Sequence, residues 1–236
     1  MRFRNQNVIV TGASRGLGLS LSRHFAAEGA RVVMVARRVG PLEEAVAQVK
    51  QVGEAHALPA DVGAPDAAAE IAGAAAAMVG AIDVLVHNAS TLGPVPLRPL
   101  AETSDADFDA AFAVNLAGPF RLTRAVVGSM IARQTGVVLH VSSDAAVDAY
   151  PTWGAYGASK AALDHLSRVW AAELHGTGVR VLAVDPGEMD TRMHADAIPD
   201  ADPASLRDPD AVAAGIVTLL ARSPRSGARV QVEVAS

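Results

Sequence analysis

The feature that most constrains the fold is a regular alternation of short apolar runs, rich in β-branched residues, with longer segments of helical spacing. The apolar runs cover 8–10, 31–36, 55–60, 82–86, 136–141, 179–184 and 228–234. Helical spacing follows the first run and covers 41–52, 65–79, 104–133, the region around Tyr156 and 211–222. Alternation of this kind predicts a parallel sheet covered by helices on both faces. We expect an α/β doubly wound sheet of about seven strands, with residues 1–236 forming a single domain.

A glycine-rich turn, Thr11-Gly-Ala-Ser-Arg-Gly-Leu-Gly18, lies between the first predicted strand and the helix after it. Glycines let the backbone approach a phosphate group closely, and a helix N-terminus offers free N–H groups at the positive end of its dipole. The context therefore predicts a cradle for the diphosphate of a dinucleotide. An ordinary glycine-rich turn is the alternative.

The end of the second predicted strand bears on cofactor choice. A fold that prefers NAD usually carries an acidic residue there, for the ribose 2′-hydroxyl. This chain has Ala36, followed by Arg37 and Arg38, and a further guanidinium at Arg15 in the glycine turn. Arginine binds phosphate with paired hydrogen bonds, so the pattern favours the 2′-phosphate of NADP(H). The alternative is that these arginines only solvate the surface.

Composition excludes several classes of function. The net charge of −5 argues against nucleic acid or an anionic membrane as partner. Cysteine is absent, which excludes disulfides and thiolate chemistry. The seven histidines show no metal-ligand spacing, so we expect no metal site and assign them to the surface or to packing. No apolar segment suits a membrane span or a signal peptide, and we expect a cytoplasmic protein.

Tyr156 and Lys160 stand four residues apart in a helical segment, which places them on one helix face. A nearby ammonium group favours the phenolate form, so this spacing predicts a tyrosine whose pKa is lowered toward neutrality. Such a phenol acts as a general acid or base. Asp61 and Asn88 follow predicted strands, at the sheet edge where ligands bind in this kind of fold.

These features together resemble the short-chain dehydrogenase/reductases, in their short, single-domain, NADP-preferring branch with a Rossmann-like fold. The resemblance rests on Thr-Gly-x-x-x-Gly-x-Gly at 11–18, Asp61-Val62, Asn88-Ala89, Asn115, Ser143, Tyr156-x-x-x-Lys160 and Pro186-Gly187, in that order and spacing. One departure is Ser90, where the family often has glycine, and it brings the geometry of that loop into question.

The resemblance implies four catalytic residues. Tyr156 would protonate the substrate oxygen, and Lys160 would lower the pKa of the phenol and bind the nicotinamide ribose. Ser143 would hold the carbonyl group, and Asn115 would keep a water in a proton relay from Lys160. The expected cofactor site comprises Gly12, Ser14, Arg15, Gly16, Leu17, Gly18, Arg37, Arg38, Asp61, Val62, Asn88, Ala89, Tyr156, Lys160, Pro186, Gly187 and Thr191.

The substrate pocket is expected to include loop residues on either side of the catalytic tyrosine and a short lid over 188–209. Its predicted members are Ser143, Val147, Tyr150, Trp153, Met189, Met193 and His194. Asp144 and Asp148, in the loop before Tyr156, are expected to be solvated.

We therefore expect an NADPH-dependent reductase that transfers hydride to a ketone or aldehyde, reversible as alcohol oxidation. Its partner would be a small carbonyl or alcohol substrate. The family resemblance further implies a homodimer or homotetramer. Two alternatives stay open: an NAD-dependent alcohol dehydrogenase, and a non-catalytic NADP(H)-binding sensor or scaffold.

Overall fold

Seven strands form one sheet in the computed structural model, which describes residues 1–232. They are β1 (Asn7–Thr11), β2 (Arg31–Ala36), β3 (Glu54–Pro59), β4 (Val84–His87), β5 (Gly136–Val141), β6 (Val179–Asp185) and β7 (Arg229–Gln231). Their spatial order is β3-β2-β1-β4-β5-β6-β7, and every neighbouring pair is parallel. The expected doubly wound sheet is confirmed.

Eight α-helices cover the sheet in the described part of the chain. They are α1 (Gly16–Ala27), α2 (Val39–Val49), α3 (Ala67–Val79), α4 (Asp105–Phe112), α5 (Gly118–Ala132), α6 (Gly154–Glu173), α7 (Arg192–Ala197) and α8 (Pro209–Ala221). None of the described helices is long and apolar enough to serve as a membrane span.

The strands are apolar throughout because both faces of the sheet are covered. In β1, Val8 and Val10 pack into a core shared with α1, α2 and α8. Ile9, between them, points to the other face and packs into a core shared with α3 and α5. Successive side chains of a strand point to opposite faces, so each buried strand contributes to both cores.

The long helical segment expected over 104–133 is present, although it is not regular α-helix throughout. It is divided into α4 and α5 by a π-helical turn over Ala113–Ala117 that carries Asn115. Pro119 lies in the first turn of α5, directly after this π-helical turn. A Cβ on Gly118 would lie 2.4 Å from the carbonyl oxygen of Val62, so this segment approaches the site closely only with glycine there.

Two further segments differ from expectation. The polar stretch after β6 contains α7, whose first turn is capped by Thr191, although its sequence shows no helical periodicity. A bridge between Met189 and Arg207 joins the two ends of this stretch. The last strand spans Arg229–Gln231, and the expected positions 233 and 234 lie outside the described residues.

Candidate active site

A continuous cleft of about 1170 Å³ runs along the carboxyl ends of the central strands. The predicted site residues that line it are Gly12, Ser14, Arg15, Gly16, Leu17, Arg37, Arg38, Asp61, Val62, Asn88, Ala89, Ser143, Tyr150, Trp153, Tyr156, Lys160, Pro186, Gly187, Met189, Thr191, Met193 and His194. The glycine turn and the Tyr156–Lys160 pair therefore belong to one cavity. Gly18, Asn115 and Val147 do not line it.

The glycine turn is packed tightly against the end of β4. Gly12 has a φ of +66°, and a Cβ there would lie 2.7 Å from the Cα of Ala89. A Cβ on Gly18 would lie 2.3 Å from the carbonyl oxygen of Gly12. Both positions accept only glycine, because the clashes are with backbone atoms that cannot move aside.

The N-terminus of α1 opens onto the cleft. Its N-cap residue, Arg15, makes no side-chain capping bond, and the first turn carries no acidic residue. The first helical hydrogen bond is made by the N–H of Leu19, so the N–H groups before it are available to a ligand. Free N–H groups at the positive end of a helix dipole fit a diphosphate.

Asn88 has a structural role in addition to its place on the cleft. Its side-chain amide donates hydrogen bonds to the carbonyl oxygens of Thr11, at 3.0 Å, and Gly12, at 3.2 Å. The hydroxyl of Thr11 accepts the N–H groups of Asn88 and Ala89, both at 3.1 Å. These bonds hold the glycine turn in place, a role that the sequence did not indicate.

The three arginines lie at one end of the cleft, where all three are exposed. Arg37 is 3.8 Å from the carboxylate of Asp61, and both side chains face water, so the pair is worth little energetically. Ala36 ends β2 beside them, as the sequence indicates. This end of the cleft has the charge that suits a phosphate monoester.

Tyr156 and Lys160 lie on one face of α6 and are both buried, with exposed fractions of 8% and 2%. The Nζ of Lys160 donates a hydrogen bond of 2.7 Å to the carbonyl oxygen of Val141, at the end of β5. It lies 5.6 Å from the centre of the Tyr156 ring. Burial lowers the pKa of Lys160 to about 8, although the carboxylate of Asp164 acts in the opposite direction.

The expectation that the pKa of Tyr156 is lowered toward neutrality is wrong. The pKa of Tyr156 is raised to about 12: burial raises it most, hydrogen bonding to Ser143 and Ser90 lowers it, and the carboxylates of Asp144 and Asp185 raise it. The ammonium group of Lys160 makes its hydrogen bond to the carbonyl of Val141 and not to the phenol. The phenol is therefore protonated at neutral pH, as a proton donor must be.

Ser143 lies beside Tyr156, immediately after β5. Its hydroxyl donates a hydrogen bond of 2.9 Å to the carboxylate of Asp144, and that carboxylate accepts a second one, of 3.0 Å, from the hydroxyl of Tyr150. The expectation that Asp144 is solvated is therefore wrong, because the half-buried carboxylate is engaged with the site. Asp148, in contrast, is exposed as expected.

Asn115 is almost fully buried and uses all its hydrogen-bonding groups within the protein. Its Oδ1 accepts from the hydroxyl of Ser90, at 3.0 Å, and from the N–H of Thr91, at 2.9 Å. Its Nδ2 donates to the carbonyl of Thr91 and to the hydroxyl of Ser159, both at 2.9 Å. The side chain thus joins the loop after β4 to helix α6.

The part of the cleft beside Tyr156 is lined mainly by aromatic residues and by residues of α7. The ring of Trp153 packs edge-to-face on Tyr156, with centroids 5.6 Å apart, and Tyr150 packs on Trp153. Met193 and the largely buried imidazole of His194 line the cleft from α7. The prediction that Val147 lines the pocket is wrong. Its side chain is 69% exposed and points to solvent, because it follows a 3₁₀ turn that directs it outward.

Thr191 caps α7 with its hydroxyl, which accepts the N–H of His194 at 3.3 Å. Its methyl group faces Gly16 across the cleft. Helix α7 thereby begins opposite the glycine turn.

Sequence reasoning missed Ser90, Asp144 and Glu188 as residues of the cleft. Ser90 has no left-handed conformation, so the usual glycine is not required, and its hydroxyl bonds to Asn115. The signal for Asp144 was its place directly after the serine. Glu188 lies within the expected 188–209 segment, but its sequence context did not single it out as a residue of the cleft.

Two histidines form a stacked pair beneath the site. His87 on β4 and His140 on β5 have ring centroids 4.9 Å apart, and both are buried. Their outer partners are the hydroxyls of Thr123 and Ser167. The described residues contain no group of three or more acidic or histidine side chains placed to hold a metal ion.

Residues 6–202 match the family model described as short chain dehydrogenase. A short chain dehydrogenase from Pseudocercospora fijiensis is 38% identical over 198 residues, which cover 82% of this chain and 63% of that protein. Two solved structures each match over the full length of both chains: a metagenomic short-chain oxidoreductase in complex with NADP, at 33% identity and a TM-score of 0.83, and an NAD+-bound xylitol dehydrogenase, at 25% and 0.88. With the parallel sheet, the glycine turn and the extent of these matches, the chain belongs to the short-chain dehydrogenase/reductase family of oxidoreductases.

Proposed function

We propose that this protein is an NADPH-dependent reductase of ketones or aldehydes, with Tyr156 as the proton donor. The observation that carries the proposal is the single cleft, which joins the glycine turn and the arginines to a buried tyrosine and lysine and a half-buried serine, Ser143. A sensor or scaffold would need the first of these groups only, so the second favours catalysis.

The residues present fit a nicotinamide dinucleotide. The free N–H groups at the start of α1 would hold the diphosphate, and Arg15, Arg37 and Arg38 would hold a 2′-phosphate. Asp61 and Val62 would contact the adenine, and Pro186, Gly187 and Thr191 the carboxamide side. When bound, the nicotinamide supplies or accepts a hydride ion.

The protonation state of Tyr156 suits reduction. Converting a carbonyl to an alcohol requires a proton at oxygen, and the phenol of Tyr156, with its pKa raised to about 12, carries one at neutral pH. The ammonium group of Lys160, 5.6 Å from the ring, would stabilise the phenolate left after transfer. The hydroxyl of Ser143 would orient the substrate oxygen.

The first test is fluorescence titration with NADPH and NADH, followed by a carbonyl panel monitored at the nicotinamide absorbance. We expect tighter binding of NADPH and turnover that Tyr156→Phe lowers by about a thousandfold or more while cofactor binding persists. Binding without turnover across the panel would favour the sensor.

Cofactor preference is tested separately. Arg37→Gln and Arg38→Gln should each weaken NADPH binding and leave NADH binding nearly unchanged, and Ala36→Asp should shift preference toward NADH. Arg23→Gln is the control, because that exposed arginine pairs with Asp210 on α8, away from the cleft. Tighter binding of NADH by the unaltered protein would favour NAD-dependent alcohol oxidation, a reading that the NAD+-bound neighbour also supports.

We further propose a cytoplasmic homodimer or homotetramer, with 188–209 as a lid. Exposed apolar side chains on α5 and α6, namely Phe120, Ile131 and Val169, support association through these helices. Light scattering of the purified protein tests this, because Phe120→Glu should shift the assembly toward monomer.

A further inference from the structure

Arg229, on the edge strand β7, makes three hydrogen bonds that converge on the active site. Its Nε donates to the carboxylate of Asp164 at 2.8 Å. Its Nη2 donates to the backbone carbonyl of Ser143 at 2.8 Å and to the carboxylate of Asp185 at 3.2 Å. The side chains of Asp164 and Asp185 are each 5% exposed, and that of Arg229 is 26% exposed.

Each partner belongs to a segment that carries the site. Asp164 lies one turn after Lys160 on α6. Asp185 ends β6, and its other carboxylate oxygen accepts the N–H of Gly187 at 3.0 Å, which fixes the turn at the cofactor end of the cleft. The guanidinium therefore joins the serine loop, the lysine helix and this turn.

The exit of β5 is held by two cations. The carbonyl of Val141 accepts from Lys160 at 2.7 Å, and that of Ser143, two residues on, accepts from Arg229 at 2.8 Å. Two carbonyl anchors so close in sequence leave little freedom to the backbone that carries the Ser143 hydroxyl.

Charge balance depends on the same arginine. Among the described residues, Arg229 is the side-chain cation that contacts both buried carboxylates. Removal of one partner from a buried ionic group leaves the remaining charges uncompensated. Those charges act on the catalytic pair: besides burial, Asp185 raises the pKa of Tyr156, and Asp164 opposes the lowering of the pKa of Lys160.

We propose that Arg229 is a positioning residue, which fixes the backbone of Ser143 and balances the two buried carboxylates beside Tyr156 and Lys160. The inference rests on the proposed function for its catalytic consequence only. Its geometric part concerns contacts that exist whatever the substrate.

The test compares Arg229→Lys with Arg229→Gln. The lysine variant keeps the positive charge but loses the planar set of N–H donors of the guanidinium group. We therefore expect kcat to fall about tenfold, with KM nearly unchanged and the pH profile in the same place. The glutamine variant also loses the charge, so the alkaline limb of the reduction profile should move to higher pH. The other titratable groups around the pair, Asp144 near Tyr156 and His140 near Lys160, are the same in both variants.

A second readout does not need turnover. The ¹³C signal of the Lys160 Cε carbon, assigned by its loss in Lys160→Met, reports the titration of the ammonium group. We expect Arg229→Gln to raise the pKa of Lys160 by about one unit, since Asp164 loses its partner, and Arg229→Lys to leave it in place.

Arg133→Gln is the matched control. Arg133 also joins a carboxylate, that of Asp83, to a backbone carbonyl, that of Ile82, but at the opposite end of the sheet. The Arg133→Gln substitution should lower the melting temperature without moving the pH profile or the titration of Lys160. If the pKa of Lys160 in Arg229→Gln equals that in the wild type, the inference is overturned, whether or not the protein shows turnover. If Arg229→Gln shows the shift in the Lys160 pKa but the wild-type protein reduces no carbonyl, only the proposed function is overturned.

Discussion

The hydroxyl of Ser143 donates a hydrogen bond of 2.9 Å to the carboxylate of Asp144, the residue that follows it. The same carboxylate accepts the N–H of Ala145, at 2.8 Å, and the hydroxyl of Tyr150, at 3.0 Å. Asp144 thus fixes the direction of the serine hydroxyl while its negative charge disfavours the phenolate of Tyr156. The residue after the serine contributes to both the geometry and the protonation of the site.

Asp144→Asn is expected to lower the pKa of Tyr156, because the substitution removes one of the negative charges that raise it. Reduction needs the protonated phenol, so the alkaline limb of its pH profile should move to lower pH, by about half a unit to one unit. The measurement is the pH dependence of kcat for whichever carbonyl the panel identifies.

Asp148→Asn is the control for this prediction. It removes a carboxylate from the same loop, but Asp148 is exposed and does not act on Tyr156. A profile that moves equally in both variants would mean that the loop's general charge, and not the contact with Ser143, is responsible.

Asn115→Ala should destabilise the fold by about 3 kcal/mol, because it leaves several buried polar groups without a partner. Ser159→Ala removes one of the four bonds of Asn115 and the bond from Ser159 to the carbonyl of Tyr156, and should cost about 1 kcal/mol. Urea unfolding measures both. Equal losses would show that Ser159, and not the loop after β4, accounts for the role of Asn115.

The sheet and the glycine turn could be predicted from the sequence because both depend on local rules. Successive side chains of a strand point to opposite faces of the sheet, and both faces are buried, so the strands are continuously apolar. In the glycine turn, tight contacts with backbone atoms require glycine at Gly12 and Gly18. The residues that line the cleft from strand ends follow from the same topology.

The helix within 188–209 and the electrostatics of the site could not be predicted in this way. Helix α7 depends on a cap by Thr191 and on pairing of its flanks at Met189 and Arg207, which are contacts between distant positions. The pKa of Tyr156 depends on burial, which the spacing of Tyr156 and Lys160 does not reveal. Spacing placed the two groups on one helix face, but the direction of the ammonium group toward Val141 is a tertiary feature.

Lys160→Met should abolish turnover and yet stabilise the fold at neutral pH. Burial lowers the pKa of Lys160 from 10.5 to about 8, so the charged form is disfavoured in the folded state and this difference opposes folding by roughly 3 kcal/mol. The cost is fully present below about pH 8 and fades as the pH rises toward 10.5. Methionine has a similar volume and no charge, so we expect a gain of about 1 to 3 kcal/mol after loss of the bond to Val141.

Thermal unfolding at pH 7 and pH 10 measures this effect. The advantage of Lys160→Met over the wild type should be larger at pH 7 than at pH 10. A variant less stable than the wild type at both values would show that the hydrogen bond to Val141 outweighs the cost of burying the ammonium group.

We expect the stacked pair His87 and His140 to lower the stability of the fold in mild acid. Burial lowers the pKa of His140 to about 3, and the positive charge of Lys160 contributes. The unfolded chain therefore binds this proton near pH 6.5 and the folded chain does not, so stability falls as the pH drops from about 6.5 toward 3, by about 2 kcal/mol at pH 5. His140→Asn should reduce the difference in urea unfolding between pH 7.5 and pH 5, with the lowered pKa of His87 accounting for the remainder. The exposed His165 supplies the control, since His165→Asn should keep the wild-type difference; a His140→Asn protein that also keeps it would contradict the assignment.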